Sequence, residues 1–173
     1  MVQVRGPGWT PSDAYYRCRY AVLREPLGFG RGAELLADDT EAIHAYVEDM
    51  DETIVCVGRA HLISEESDGS QSDFPGGSGP KTPAFGPLLK QDNRPAIQIR
   101  QMGTLTSSRR NGLAAKVLTA LEAECKNIFS AKIGLLQARM QAIPFYEAAG
   151  WVVIDQPYSI PNVGPHRSMM KFL

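Results

Sequence analysis

Cysteine is scarce in this chain of 173 residues: there are three, Cys18, Cys56 and Cys125, all far apart and with no C-x-x-C pair. An odd, dispersed set supports neither a disulfide framework nor a zinc site. The three read as buried apolar fillers in a reduced, cytoplasmic setting, and no metal is expected. No apolar run approaches the roughly 20 residues that a membrane span requires. The N-terminal MVQVRGPGWTPSD has no apolar signal core, so no membrane partner is expected. An excess of one charge is missing too. Lys and Arg number 18, Asp and Glu 19, and the net charge of -1 argues against nucleic acid as a partner. What is present is a 43% apolar composition with two Trp, six Tyr and six Phe. That suits one globular domain over 1–173.

The near-neutral total hides an asymmetry. Glu34 to Asp73 holds twelve acids and one base, Arg59, whereas Ala96 to Met140 holds seven bases and two acids. The first stretch could attract a cationic acceptor and the second an anionic ligand; two solvated surfaces explain the pattern equally well.

Residues 2–5 read as a short strand. Thr10-Pro11-Ser12-Asp13 reads as a helix start with Thr10 as cap, and Ala14, Cys18 and Val22 at four-residue spacing predict an amphipathic helix over 11–25. Residues 40–48 alternate, placing His44 opposite Ile43, Ala45 and Val47. With the β-branched run 53–63 they predict an antiparallel hairpin. Residues 64–95 contain five Gly, five Pro and five Ser, a composition that predicts a long, partly mobile insertion. Its Gly79-Pro80-Lys81-Thr82 is not a P-loop, because proline divides the Gly-Lys pair and no helix follows. Beyond it come a strand over 96–105, a helix over 113–129, a strand over 132–138 and a short helix over 141–149. A strand over 151–155, a loop over 156–165 and a last strand over 166–173 complete the chain. The order predicts a mixed α/β fold around one sheet.

The informative unit is strand 96–105, loop 106–112 and helix 113–129. A helix entered through small residues presents free N–H groups and the positive end of its dipole. Gly112 admits close backbone approach, Ala114 is nearly as small, and Arg109 and Arg110 offer planar forks suited to phosphate. These features suit a pyrophosphate.

The spacing Arg109-x-x-Gly112-x-Ala114 resembles the Q/R-x-x-G-x-G/A signature of the GNAT N-acetyltransferase superfamily. Ala138 to Trp151 resembles its A-x-x-x-A-x-x-F-Y-E-x-x-G-F segment. Asp38, Asp39, Ala42 and His44, the run Val57-Gly58-Arg59-Ala60, and Ile160, Pro165, His166 and Met169 resemble the ElaA-like branch. The likeness spans nearly all of the chain outside 64–95. Arg110 stands where the family has Gly, and Arg139 where it often has Gln or Asn. Arg139 is thus available to a phosphate, a substrate carboxylate or a surface acid.

The resemblance implies a single GNAT-like domain: a mostly antiparallel sheet with a splayed parallel pair and helices on both faces. It implies acetyl-CoA as co-substrate and direct attack by an amine, either a small molecule or a protein amine. In that reading Asn111, Gly112, Leu113 and Ala114, with Arg109 and Arg110, hold the pyrophosphate. Met102, Gly103 and Thr104 pair with the pantetheine arm, and Gly103 allows a local bulge. Tyr146 is the candidate acid for the leaving thiolate. His166 and His44, then His61, are the candidate bases, beside a water chain to a carboxylate. A homodimer through sheet edges is compatible with the fold. A GNAT-fold sensor that binds acyl-CoA without turnover, or an unrelated nucleotide binder, would share many of these features.

Overall fold

The run around Val55 and Val57 lies at the middle of an eight-stranded sheet, described over residues 1–173 in a computed structural model. In chain order the elements are β1 (Val2–Arg5), α1 (Asp13–Leu23), β2 (Ile43–Glu48), β3 (Ile54–Leu62), β4 (Ala96–Thr104) and α2 (Leu113–Phe129). They continue with β5 (Ile133–Arg139), α3 (Ile143–Ala148), β6 (Val152–Val153), β7 (Tyr158–Ile160) and β8 (Gly164–Phe172). The strands lie in the order β1-β2-β3-β4-β5-β8-β6, with β7 also paired to β8. Every pairing is antiparallel except β4 with β5.

Alternation along the strands sends side chains to two layers. On one face α1 buries Tyr15, Cys18 and Val22 against Tyr46, Ile54 and Val57. On the other, Val117, Leu118, Leu121 and Cys125 of α2 pack on Ile43, Ala45, Ile97 and Ile99, and α3 joins them through Ile143 and Tyr146. Each fully buried Leu or Ile here contributes about 1.5–3 kcal/mol. Gly58 sets how close α2 comes: a Cβ there would lie 2.7 Å from Val117 Cγ1 and 2.9 Å from Leu121 Cδ1. The mixed α/β fold with one splayed parallel pair and helices on both faces is therefore present, and all three cysteines are free and buried.

Three local expectations change. Helix α1 is shorter than 11–25, and its cap is Ser12, whose hydroxyl accepts the Tyr15 N–H at 3.3 Å; Thr10 and Pro11 precede it. The expected loop 156–165 contains β7, because Tyr158 stacks on His166 and its hydroxyl pairs with Ser168 Oγ at 3.1 Å. The insertion is also more ordered than its composition suggests. Phe85 is buried among Ile63, Ala96, Ile133 and Leu135. Arg94 donates to the carbonyls of Ile63 and Ser64 at 2.9 Å, Leu89 at 3.0 Å and Ser67 at 3.1 Å. One aromatic anchor and one guanidinium thus tie the base of a segment that has few apolar residues. It packs on the α1 side of the sheet.

Candidate active site

Strands β4 and β5 pair only through Ala96, Ile97 and Gln98 against Ile133, Gly134 and Leu135, and then separate. Gln98 Nε2 spans the fork by donating to Gln137 Oε1 at 2.7 Å. Beyond it β4 carries a bulge. Val57 pairs with Gly103 and Arg59 with Arg100, so Gln101 and Met102 together face Gly58. The residue with positive φ is Gln101, at 55°, so the bulge lies ahead of Gly103 rather than at it. Gly103 serves packing instead: a Cβ there would sit 2.4 Å from Val22 Cγ2 of α1.

The fork opens into a cavity of about 160 Å³ lined by Met102, Ala138, Arg139, Ala142, Tyr146 and His166, and by Arg24, Asp73, Thr82 and Arg100. Tyr146 is 8% exposed, edge-on to Phe145 and Trp151, and makes no hydrogen bond within the protein through its hydroxyl. Burial holds that hydroxyl above the ordinary phenol range, so it carries its proton at neutral pH. His166 is 5% exposed. Its Nδ1–H donates to the Gly164 carbonyl at 2.8 Å, which leaves Nε2 as the basic nitrogen. Burial depresses its pKa first; the Gly164 bond opposes this and Arg139 adds to it.

His44 is elsewhere. It is fully buried, with Nε2 2.7 Å from the Asp39 carbonyl and Nδ1 3.1 Å from Tyr15 Oη. Desolvation pushes its pKa down to about 4, so it is neutral; Nε2–H donates to the Asp39 carbonyl, while Nδ1 lies beside the Tyr15 hydroxyl, which donates to the Gly58 carbonyl at 3.0 Å. It belongs to a buried cluster in which Asp39 meets Arg19 at 2.8 Å and Arg59 at 2.9 Å, while Arg59 also meets Asp38 at 2.6 Å. His61 accepts from Arg59 at 3.2 Å in the same cluster. Neither histidine lines the cavity.

The loop from β4 to α2 takes the conformation that frees its amides. Arg110 has φ 63° and Gly112 φ 71°, and no side chain caps α2. The N–H groups of Asn111, Gly112, Leu113, Ala114 and Ala115 have no partner within the protein. Arg109 Nε donates to the Thr104 carbonyl at 3.2 Å, so its fork lies beside the end of β4. A run of unpaired amides at a 17-residue helix, with two arginines adjacent, is chemically fitted to a pyrophosphate.

Several residues of the fork and the cavity lie outside the motifs of the sequence. Gln98 and Arg100 could have been singled out as polar residues alternating with Ile97 and Ile99 on a buried strand. Arg24 and Asp73 come from outside any motif. No group of three or more His, Cys, Asp or Glu is placed to hold a metal, and no helix is long and apolar enough to cross a membrane.

The sheet is thus forked beside an amide-rich helix start. Residues 85–166, a little under half of the chain, match the family described as Acetyltransferase (GNAT) domain. Its fold is similar to that of a candidate N-acetyltransferase from Lactobacillus plantarum (20% identity, 99% of this chain and 98% of that chain, TM-score 0.68). It is also similar to Escherichia coli ElaA (16%, 99% and 99%, TM-score 0.64). A third similar structure is an aminoglycoside 6'-N-acetyltransferase complexed with coenzyme A (12%, 98% and 96%, TM-score 0.63). No curated protein matches the chain.

Proposed function

We propose that this protein transfers acetyl from acetyl-CoA to a primary amine by direct attack. The observation that carries this reading is the single cavity in which Tyr146 and His166 meet the forked ends of β4 and β5, beside the open start of α2. The amides of Asn111 to Ala115, with Arg109 and Arg110, hold the pyrophosphate. The backbone of Met102 to Thr104 pairs with the pantetheine arm, and an N–H of that stretch faces the developing oxyanion.

His166 Nε2 accepts the proton that an ammonium of pKa about 10 must lose. The amine nitrogen then attacks the thioester carbonyl carbon. A C–N bond forms, the C–S bond breaks and its electron pair stays on sulfur. Tyr146 Oη supplies the proton that neutralises this thiolate, whose pKa is about 8.5. The phenol recovers its proton from the nitrogen of the new amide through solvent, so the products are an amide and coenzyme A.

The test is calorimetric titration with acetyl-CoA, coenzyme A and ATP, beside an Arg109→Ala/Arg110→Ala variant. Expected is micromolar binding of acetyl-CoA and coenzyme A, at least tenfold weaker in the variant, with free thiol released when an amine is added. Binding of ATP but not of coenzyme A would overturn the proposal.

A further inference from the structure

The acceptor side of the cavity has an uneven charge. Arg24, Arg100 and Arg139 line it, and Asp73 from the insertion is its one carboxylate. Asp73 is shared. Its carboxylate lies 3.5 Å from Arg100 Nη1 and 3.7 Å from Arg24 Nη2, and it accepts from Gln101 Nε2. The two ion pairs are long, and the Asp73 side chain is 33% exposed. Arg139 has no ion-pair partner; Arg100 donates to the Gln71 and Ser72 carbonyls at 2.8 and 3.3 Å, and its Nε is buried without a hydrogen bond. Enclosed guanidinium groups in excess of carboxylates are costly unless an anion joins them. Burial depresses the pKa of all three arginines, and Asp73 is the carboxylate that opposes this at each.

We propose that the acceptor is a small primary amine that also bears a carboxylate, of the amino-acid class, with its carboxylate held by Arg139 and Arg100. This rests on the transferase reading and deepens it. Asp73 stands in for that carboxylate when no acceptor is bound. The volume supports a small acceptor: about 160 Å³, comparable to a cavity of about 150 Å³ that takes a benzene-sized guest, must hold the acceptor beside the acetyl thioester. A planar carboxylate matches the guanidinium fork. The surrounding cations also disfavour the ammonium form of the acceptor, which makes the attacking amine easier to deprotonate. Apart from Asp73, the acidic stretch 34–73 adds no charge here: its Asp38 and Asp39 are paired with Arg59 and Arg19 and do not line the cavity.

The experiment compares L-amino acids with their carboxamides, and with a carboxylate-free polyamine, by thiol release from acetyl-CoA. Calorimetric titration of the same compounds, with and without coenzyme A, gives a readout independent of turnover. Expected is a kcat/KM at least tenfold higher for the best acid than for its amide. In Arg139→Gln, which breaks no ion pair in the fold, the ratio falls below threefold. In Asp73→Asn the KM for acids falls while the preference remains. Equal use of acid and amide, preference for the polyamine, or an undiminished preference in Arg139→Gln overturns the proposal. Acids that bind in an Arg139-dependent way without consuming thioester would overturn the transferase reading and leave the carboxylate site standing. Absence of acid binding in both calorimetric arms removes the site.

Discussion

Acid titration of His44 separates a structural histidine from a catalytic one. In the fold its pKa is pushed from 6.5 down to about 4, chiefly by burial, while in the unfolded chain it titrates at its ordinary value. The native state therefore binds fewer protons between these limits. Stability from this group is fully present above pH 6.5 and is lost as pH falls toward 4. At about 1.4 kcal/mol per pH unit, the full loss is about 3 kcal/mol. The comparison is His44→Gln, whose amide can donate to the Asp39 carbonyl. Arg19, Arg59, Asp39 and Tyr15 surround the position in both proteins, so their titrations cancel in the difference. Urea denaturation at pH 7 should find the variant weaker by about 1 kcal/mol. By pH 4.5 the gap should close or reverse, because the variant has no imidazole to keep neutral. Its kcat/KM at pH 7.5 should change less than threefold, whereas His166→Gln should lose about 10²-fold. Parallel stability profiles from pH 7 to 4.5 would refute the buried-neutral assignment.

Tyr146→Phe should lower kcat by about 10- to 100-fold with an unchanged Kd for acetyl-CoA, since the hydroxyl has no partner within the protein to lose. Asp39→Asn should cost about 3–5 kcal/mol, read by chemical denaturation, because Arg19 and Arg59 would remain buried with one carboxylate removed. Gly58→Ala should cost about 1–3 kcal/mol by the same method, through the close approach of Val117 and Leu121. Gly112→Ala, with φ 71° and open space around its Cβ, should cost about 1 kcal/mol of stability yet weaken acetyl-CoA at least tenfold in calorimetric titration.

The open geometry of the loop before α2 was legible because its determinants are local: Arg109, Gly112 and Ala114 lie in one stretch, and the left-handed Gly112 and uncapped amides follow from small residues at a helix start. The order of strands and helices was legible through periodicity. The histidines were harder. His44 and His166 sit on similar alternating strands, and only tertiary packing reveals that Asp39 and Tyr15 engage both nitrogens of one, while Gly164 engages a single nitrogen of the other. Arg24, Arg100 and Asp73 converge from the C-cap of α1, β4 and the insertion, a meeting that no spacing encodes. The bulge was expected at the glycine, but the register shift falls at Gln101, because Gly103 is needed where α1 touches the sheet.

Arg94 has an evolutionary consequence. Its guanidinium gathers carbonyls from both ends of the insertion, so the segment leaves and rejoins the sheet at one closed point. Apart from the buried anchor Phe85, chain between Ser67 and Leu89 can lengthen, shorten or change composition without altering the register of β3 on β4. That same chain delivers Asp73 and Thr82 to the acceptor cavity. Change in the lining of the cavity is thereby uncoupled from the integrity of the sheet, and a lineage carrying this closure would reshape the cavity by rewriting a loop.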